Sequence, residues 1–166
     1  MRDVILVVHN IRSTHNVGSL LRTADGLGVK EVILTGYTPF PKSTNDKRLP
    51  HVATRADGQI HKTALGAEKS VKWQRSENIK PALEKLSAGG YFLLALEQTD
   101  GSRQLKSFDK QNKIALILGS EVTGIDPKII ERCDAVAEIP MRGRKESFNV
   151  AAAAAMALYH LKLLDK

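Results

Sequence analysis

Residues 114–160 read IALILGSEVTGIDPKIIERCDAVAEIPMRGRKESFNVAAAAAMALYH. Two apolar runs, Ile114 to Leu118 and Ala135 to Ile139, have the length of buried strands. Each ends in a polar, glycine-bearing loop. Asp126-Pro127 starts a short helix between them, an N-cap type followed by proline at the first helical position. After the second loop the chain enters a long alanine-rich helix. In open α/β sheets, ligands bind where the carboxyl ends of strands meet such loops. Gly119, Ser120, Glu121, Gly143, Ser147 and Asn149 would therefore crowd one rim of a sheet, and that rim is the candidate active site.

Upstream, Val4 to Val8 is a continuous β-branched apolar run, as expected of a buried parallel strand. Val17, Leu20, Leu21, Ala24 and Leu27 then recur at the spacing of one helix face, with Asn16 as a candidate N-cap and Gly28 as a stop. Glu31 to Thr35 is the next strand, which completes a βαβ unit. Arg22 lies beside the apolar stripe, one turn from Gly18, whose bare backbone would let a ligand or partner approach.

Tyr37 to Ile60 holds three prolines and no clear period, and reads as a long loop. His61 to Glu68 allows one or two helical turns, and Ser70 to Gln74 a short strand. Trp73 is read as a packing residue, with base stacking as the other possibility. Ile79 to Leu86 is a helix ended by Gly89-Gly90. Tyr91 to Leu96 is a buried strand, Thr99-Asp100-Gly101 a turn, and Leu105 to Lys113 a polar connector. Roughly six strands alternate with helices, which makes the fold α/β with a mostly parallel sheet. The run Ala151 to Ala155 suits a helix packed very close to another element.

A chain of 166 residues points to a single domain, 1–166, able to bury a core without disulfides. The lone Cys133 fits a reducing compartment. The N-terminus lacks the tripartite layout of a signal peptide, and the longest uncharged apolar run, Val150 to Tyr159, is about half a bilayer span. A cytoplasmic protein with no membrane contact is the expectation.

The net charge is +7. Tyr37 to Arg75 carries eight Lys/Arg against three Asp/Glu, most of the excess in under a quarter of the chain. Such a surface suits a polyanion, RNA above all. Several enzyme classes are disfavoured. No glycine lies between Val8 and Val17, so the dinucleotide fingerprint is missing. A phosphate-cradling G-x-x-x-x-G-K-[ST] and a G-x-S-x-G elbow are also lacking. His9, His15, His51, His61 and His160 are not spaced as metal ligands, and no metal is expected.

Three blocks carry a resemblance. Asn10-x-Arg12-Ser13-x-x-Asn16-x-Gly18-x-x-x-Arg22-Thr23-Ala24 is similar to the first motif of the SpoU/TrmH family of RNA ribose 2′-O-methyltransferases, within the SPOUT superfamily. Leu118-Gly119-Ser120-Glu121-x-x-Gly124-Ile125 resembles its second motif. Ile139-Pro140-Met141-x-Gly143-x-x-x-Ser147-Phe148-Asn149-Val150 resembles its third. Their order and separation also fit, and the resemblance spans nearly the whole chain.

The resemblance implies a C-terminal trefoil knot, which pattern reading cannot suggest because knots break the usual connection rules. It also implies a homodimer, with S-adenosylmethionine held in the knot and the active site near the dimer interface. The catalytic set carried over is Arg22, Asn16, Glu121, Ser147 and Asn149. The cofactor would be held by Leu118, Gly119, Ile139, Met141, Ser147 and Phe148, through strand-end amides and apolar side chains. RNA contacts are expected at Arg12, Lys42, Lys47, Arg48, Lys62, Arg142 and Arg144.

The implied reaction is attack of a ribose 2′-hydroxyl, in tRNA or rRNA, on the methyl of the cofactor. The family assigns Arg22 the removal of the hydroxyl proton. A guanidinium stays protonated in water, so a clamp on the substrate phosphate is the second role open to it. The alternative from another class is a non-catalytic RNA-binding homodimer on the same fold. Base methylation and dinucleotide oxidoreduction fit the motifs less well.

Overall fold

The structure, a computed structural model, describes residues 2–163. In chain order the elements are β1 (Asp3–His9), α1 (Thr14–Gly26), β2 (Glu31–Thr35), α2 (Pro50–Ala64), α3 (Ala67–Ser70), β3 (Trp73–Ser76), α4 (Ile79–Ala88), β4 (Phe92–Leu96) and β5 (Arg103–Gln104). A 3-10 turn (Leu105–Phe108), β6 (Lys113–Leu118), α5 (Pro127–Ile130), β7 (Ala135–Glu138) and α6 (Val150–Leu163) complete the order. All seven strands form one parallel sheet in the order β3-β2-β1-β6-β4-β7-β5.

Side chains alternate across the strands, so the central strands feed two cores. Val4, Leu6 and Val8 of β1 and Ile114, Leu116 and Leu118 of β6 meet α1, α2 and α6 on one face. Ile5, Val7, Ala115 and Ile117 meet α4 and α5 on the other. The chain lays down β1 to β3 on one side, then crosses to β4. The strand order therefore reverses between β1 and β6, the kind of place where open α/β sheets bind ligands.

Several sequence expectations change. The stretch read as loop from Tyr37 to Ile60 contains most of α2, which begins at Pro50 and absorbs part of the turn expected after His61. Its buried stripe is only Ala53, Ile60 and Ala64, so the apolar period is weak, and Asp57, Gly58 and His61 are poor helix formers. Tertiary contact with α1 holds it instead. A Cβ on Gly18 would lie 2.1 Å from Thr63 Oγ1 and 2.3 Å from the Ile60 carbonyl. Gly18 is thus the seat of α2, and its backbone is not open to a ligand.

The strand expected at Ser70 to Gln74 is β3, shifted to Trp73–Ser76. The polar connector hides Leu105 and Phe108, both buried. Of Ala151 to Ala155 only Ala154 is buried, while Ala152 is exposed. Ser13, not Asn16, caps α1: its Oγ accepts from Asn16 N at 3.2 Å. That leaves the Asn16 side chain free for other work. The helix expected at Ile79 to Leu86 is α4, two residues longer, and the Asp126 cap stands as read. Among the described residues no helix is long and apolar enough to cross a membrane.

Candidate active site

The β6 loop is shaped by a close approach. Ser120 and Gly124 exchange backbone hydrogen bonds, Ser120 N to Gly124 O at 3.0 Å and Gly124 N to Ser120 O at 2.9 Å. A Cβ on Gly119 would fall 2.5 Å from the Gly124 carbonyl, so only glycine fits there. Gly124 itself has φ +67. The tight loop throws Glu121 outward toward the first turn of α1.

There Glu121 meets three donors. Its carboxylate accepts from Arg12 N at 3.0 Å, Ser13 N at 3.3 Å and Asn16 Nδ2 at 2.9 Å. An acidic group at a helix N-terminus is favoured by the unpaired amides and by the helix dipole. Partial burial works against its charge, but the hydrogen bonds from Arg12, Asn16 and Ser13 prevail and hold the carboxyl below its ordinary value. Asn149 Nδ2 donates to Asn16 Oδ1 at 3.2 Å, and Asn149 Oδ1 accepts from Ala151 N at 2.9 Å. Asn149, Asn16 and Glu121, one from each of the three sequence blocks, form a single chain of hydrogen bonds.

Beside this chain lies a cavity of about 800 Å³. Its walls are the carboxyl ends of β4, β6 and β7 and the start of α6. Leu118, Gly119, Ile139, Ser147 and Phe148 line it, as do Glu121 and Asn149; Met141 is not part of the wall. Size, a wall that mixes apolar and polar side chains, and strand-end amides suit a nucleoside-sized ligand.

Sequence reading missed the loop after β4. Leu96, Glu97, Gln98 and Thr99 also line the cavity. Glu97 accepts from Ile125 N at 3.0 Å and so ties this loop to the β6 loop. The signal was available, because Tyr91 to Leu96 reads as a buried strand and its carboxyl end belongs to the same rim. A second brace was also missed. Asn10 has φ 57, and its Oδ1 accepts from Tyr37 N at 3.1 Å, in the space a side chain on Gly36 would take. Asparagine is among the few residues that adopt this backbone readily.

Arg22 stands apart. On a regular helix it lies about 120° around α1 from Asn16 and about 9 Å further along. It is exposed, and its side chain has no hydrogen bond or ion pair among the described residues. Within one subunit it does not join the Asn149–Asn16–Glu121 chain. Among the expected RNA contacts, Arg12, Lys42, Lys47, Lys62, Arg142 and Arg144 are exposed. Arg48 is turned inward: it pairs with Asp46, donates to the carbonyls of Phe40 and Pro41, and stacks 3.6 Å from the Phe40 ring centroid. Trp73 packs, with Nε1 donating to Glu68 O at 3.0 Å.

Comparison with known proteins agrees with this geometry. Residues 3–159 match the model of the SpoU rRNA Methylase family. A 23S rRNA (guanosine-2′-O-)-methyltransferase RlmB of Coxiella burnetii is 29% identical over 96% of this chain and 58% of its own length. The chain thus spans just over half the length of that curated relative. The A. aeolicus TrmH/SpoU tRNA modifying enzyme superposes with a TM-score of 0.79 at 23% identity, over 98% of this chain and 75% of its own. The SpoU methyltransferase AviRb of Streptomyces viridochromogenes, in complex with AdoMet, gives a TM-score of 0.77 at 24% identity, covering 96% of this chain and 56% of its own. With the three motif blocks drawn to one rim and a family model spanning nearly its full length, the chain belongs to the SpoU rRNA methylase family.

Proposed function

We propose that the protein transfers a methyl group from S-adenosylmethionine to a ribose 2′-hydroxyl in tRNA or rRNA. The observation that carries this reading is the hydrogen-bonded chain Asn149–Asn16–Glu121 at the mouth of the rim cavity. It supports a working site rather than a fold retained for RNA binding alone, because all three groups are polar, aligned and partly open to solvent.

The cavity fits the cofactor. Leu118, Ile139 and Phe148 offer apolar surface for a flat base, while Gly119 and Ser147 offer backbone approach. Bound there, S-adenosylmethionine supplies an electrophilic methyl on a positively charged sulfur. The chain's own residues then position and stabilise. Glu121 keeps its charge through the amides of Arg12 and Ser13, and so fixes the Asn16 amide. Asn16 in turn fixes Asn149, which caps α6. Ser147, on the cavity wall, would meet the incoming ribose or the cofactor. Arg22 can clamp a phosphate or stabilise the developing alkoxide as the 2′-hydroxyl gives its proton to solvent and S-adenosylhomocysteine leaves.

The separation of Arg22 from this chain of residues favours a site completed by a second copy. α6 supports the same reading. Met156, Tyr159 and Leu163 are 39%, 50% and 52% exposed and recur at helical spacing on one face. Met156 and Tyr159 border a hollow with Leu105, Ile139 and Pro140. An apolar face that continues into an apolar hollow suits a homodimer. The family's knot is supported by the way the loops after β6 and β7 wall one cavity before the chain enters α6.

The test is transfer of radiolabelled methyl from S-adenosylmethionine to unfractionated tRNA and rRNA, followed by nuclease digestion. Label on 2′-O-methyl nucleosides is expected. Label on bases alone would overturn the ribose assignment. Cofactor binding without transfer to any RNA would favour the non-catalytic dimer.

A further inference from the structure

α2 has a second face. Opposite its buried positions Ala53, Ile60 and Ala64, the residues His51, Arg55, Gly58 and Lys62 recur every three or four positions and form one line along the helix. All four are exposed. The side chains of Arg55 and Lys62 make no ion pair or hydrogen bond among the described residues. Other cations of the basic stretch are committed elsewhere: Arg48 to Asp46, Lys72 to Glu31, and Arg75 to the carbonyls of Leu34, Gly36 and Ser76. The free positive charge of this region therefore lies mostly on the outside of α2 and the loop before it, with Lys69 of α3 a further exposed cation.

Gly58 is the unexpected member of the line. Glycine weakens a helix interior. A Cβ at this position would meet nothing within 4 Å, so packing does not require glycine. Its φ is not positive, so backbone conformation does not require it either. What glycine provides here is bare backbone in the middle of a cationic line, where a bulky ligand can lie close. The line is about 16 Å long, which suits an extended polyanion better than a single phosphate.

The line also points at the site. Thr63 Oγ1 donates to the carbonyl of His15 at 2.9 Å, and Thr14 Oγ1 donates to Gln59 Oε1 at 3.4 Å. The Lys62 end is thus tied to the first turn of α1, which carries Asn16.

We propose that the outer face of α2 is a track for the sugar–phosphate backbone of RNA, with Arg55 and Lys62 on phosphates and Gly58 at the point of closest approach. The inference rests on the proposed RNA substrate and adds where the strand runs. The two can fail separately, because RNA binding is measured without cofactor or turnover. Binding of unfractionated tRNA and of a fluorescein-labelled single-stranded RNA is followed across a salt titration for wild type, R55Q/K62Q, G58L and G58A.

For R55Q/K62Q, affinity should fall about tenfold and the salt slope should drop by roughly 1.5, at about 0.7–0.9 for each phosphate no longer neutralised. For G58L, affinity should fall about fivefold with the slope kept, while the melting temperature holds or rises, because leucine is the better helix former. G58A should move both quantities the same way, by less. Wild-type affinity and slope in R55Q/K62Q, or wild-type affinity in G58L, would overturn the track. Loss of RNA binding in these variants of a protein that methylates no RNA would uphold the track and overturn the proposed reaction.

Discussion

Asn149 donates through Nδ2 to Oδ1 of Asn16 over 3.2 Å, joining residues 133 positions apart in sequence. The orientation of both amides is fixed by their other ends. Asn149 Oδ1 must accept, because it caps α6 at Ala151 N. Asn16 Nδ2 must donate, because its partner is the Glu121 carboxylate. Each amide uses a donor and an acceptor in a defined sense, so neither position tolerates a carboxylate in its place.

That polarity gives the first prediction. Asn16→Asp would set a second carboxylate against Glu121 in place of an amide donor, and like charges at hydrogen-bond distance repel. Methyl transfer should fall at least about a hundredfold, below the level of Asn16→Ala. Asn149→Ala should cost about 1 kcal/mol of stability through the lost cap, together with a loss of activity larger than that cost explains. Urea melts paired with transfer assays separate the two effects. Asn16→Asp activity equal to that of Asn16→Ala would remove the repulsion argument.

The second prediction concerns pH. Partial burial opposes the Glu121 charge, and the hydrogen bonds from Arg12, Asn16 and Ser13 overcome it, so its folded-state value lies below the unfolded one. A carboxyl shifted downward stabilises the fold above its unfolded value and loses that stabilisation as pH falls through its folded value. The melting-temperature gap between wild type and Glu121→Gln should be widest near neutrality and shrink as pH falls below the unfolded carboxyl's value. The gap will be small, because the group is open to solvent. A gap that widens on acidification would contradict the assigned network.

Much of this was readable in the chain because the physics is local. Continuous runs such as Val4 to Val8 and Ile114 to Leu118 announce buried parallel strands. Polar loops at their carboxyl ends announce the rim. What escaped depends on long-range contact. α2 shows little period because Gly18, some forty residues upstream, supplies its seat. Asn16 looks like a cap because asparagine often is one, yet Ser13 holds that place and frees Asn16 for Glu121. Arg48 looks like an RNA contact until Phe40 and Asp46 are folded around it. Glu97 gave no motif signal, since its partner is a backbone amide 28 residues on.

Two glycines supply the third prediction, with different readouts. Gly18→Ala forces a Cβ against Thr63 and the Ile60 carbonyl, at 2.1 and 2.3 Å. Stability should fall by about 1–3 kcal/mol as α2 is pushed off α1. Gly119→Ala forces a Cβ against the Gly124 carbonyl at 2.5 Å and Ile125 Cγ1 at 2.6 Å, on the cavity wall. Cofactor affinity, measured by calorimetry with S-adenosylhomocysteine, should fall more than about tenfold in Gly119→Ala and stay within about threefold in Gly18→Ala. The reverse pattern would mean that the cavity is not where the cofactor sits.

The fourth prediction separates neighbours. Lys47 is exposed, while Arg48 holds Asp46, two carbonyls and the Phe40 ring. Lys47→Ala should leave the melting temperature unchanged and lower the salt slope of RNA binding by about one. Arg48→Ala should lower the melting temperature, because it removes a partly buried stack and several satisfied donors. Equal effects of the two variants on stability would show that the Arg48 contacts carry little.

Arg22 and Glu121 together test the two-subunit site. If Arg22 of one copy serves the cavity of the other, Arg22→Ala and Glu121→Gln damage opposite halves of each composite site. Each homodimer should then be inactive. Unfolding and refolding an equal mixture would make half the dimers mixed, and each mixed dimer would carry one site with both defects and one with neither. Activity should return to about a quarter of wild type. Complementation requires the dimer, so adding Tyr159→Glu to both chains, on the exposed face of α6, should abolish the recovery and halve the mass in light scattering. If Arg22 serves its own subunit, no mixture regains activity, because every site keeps one defect. Recovery near a quarter therefore assigns Arg22 to the neighbouring site, and its absence from a verified mixed dimer returns Arg22 to its own.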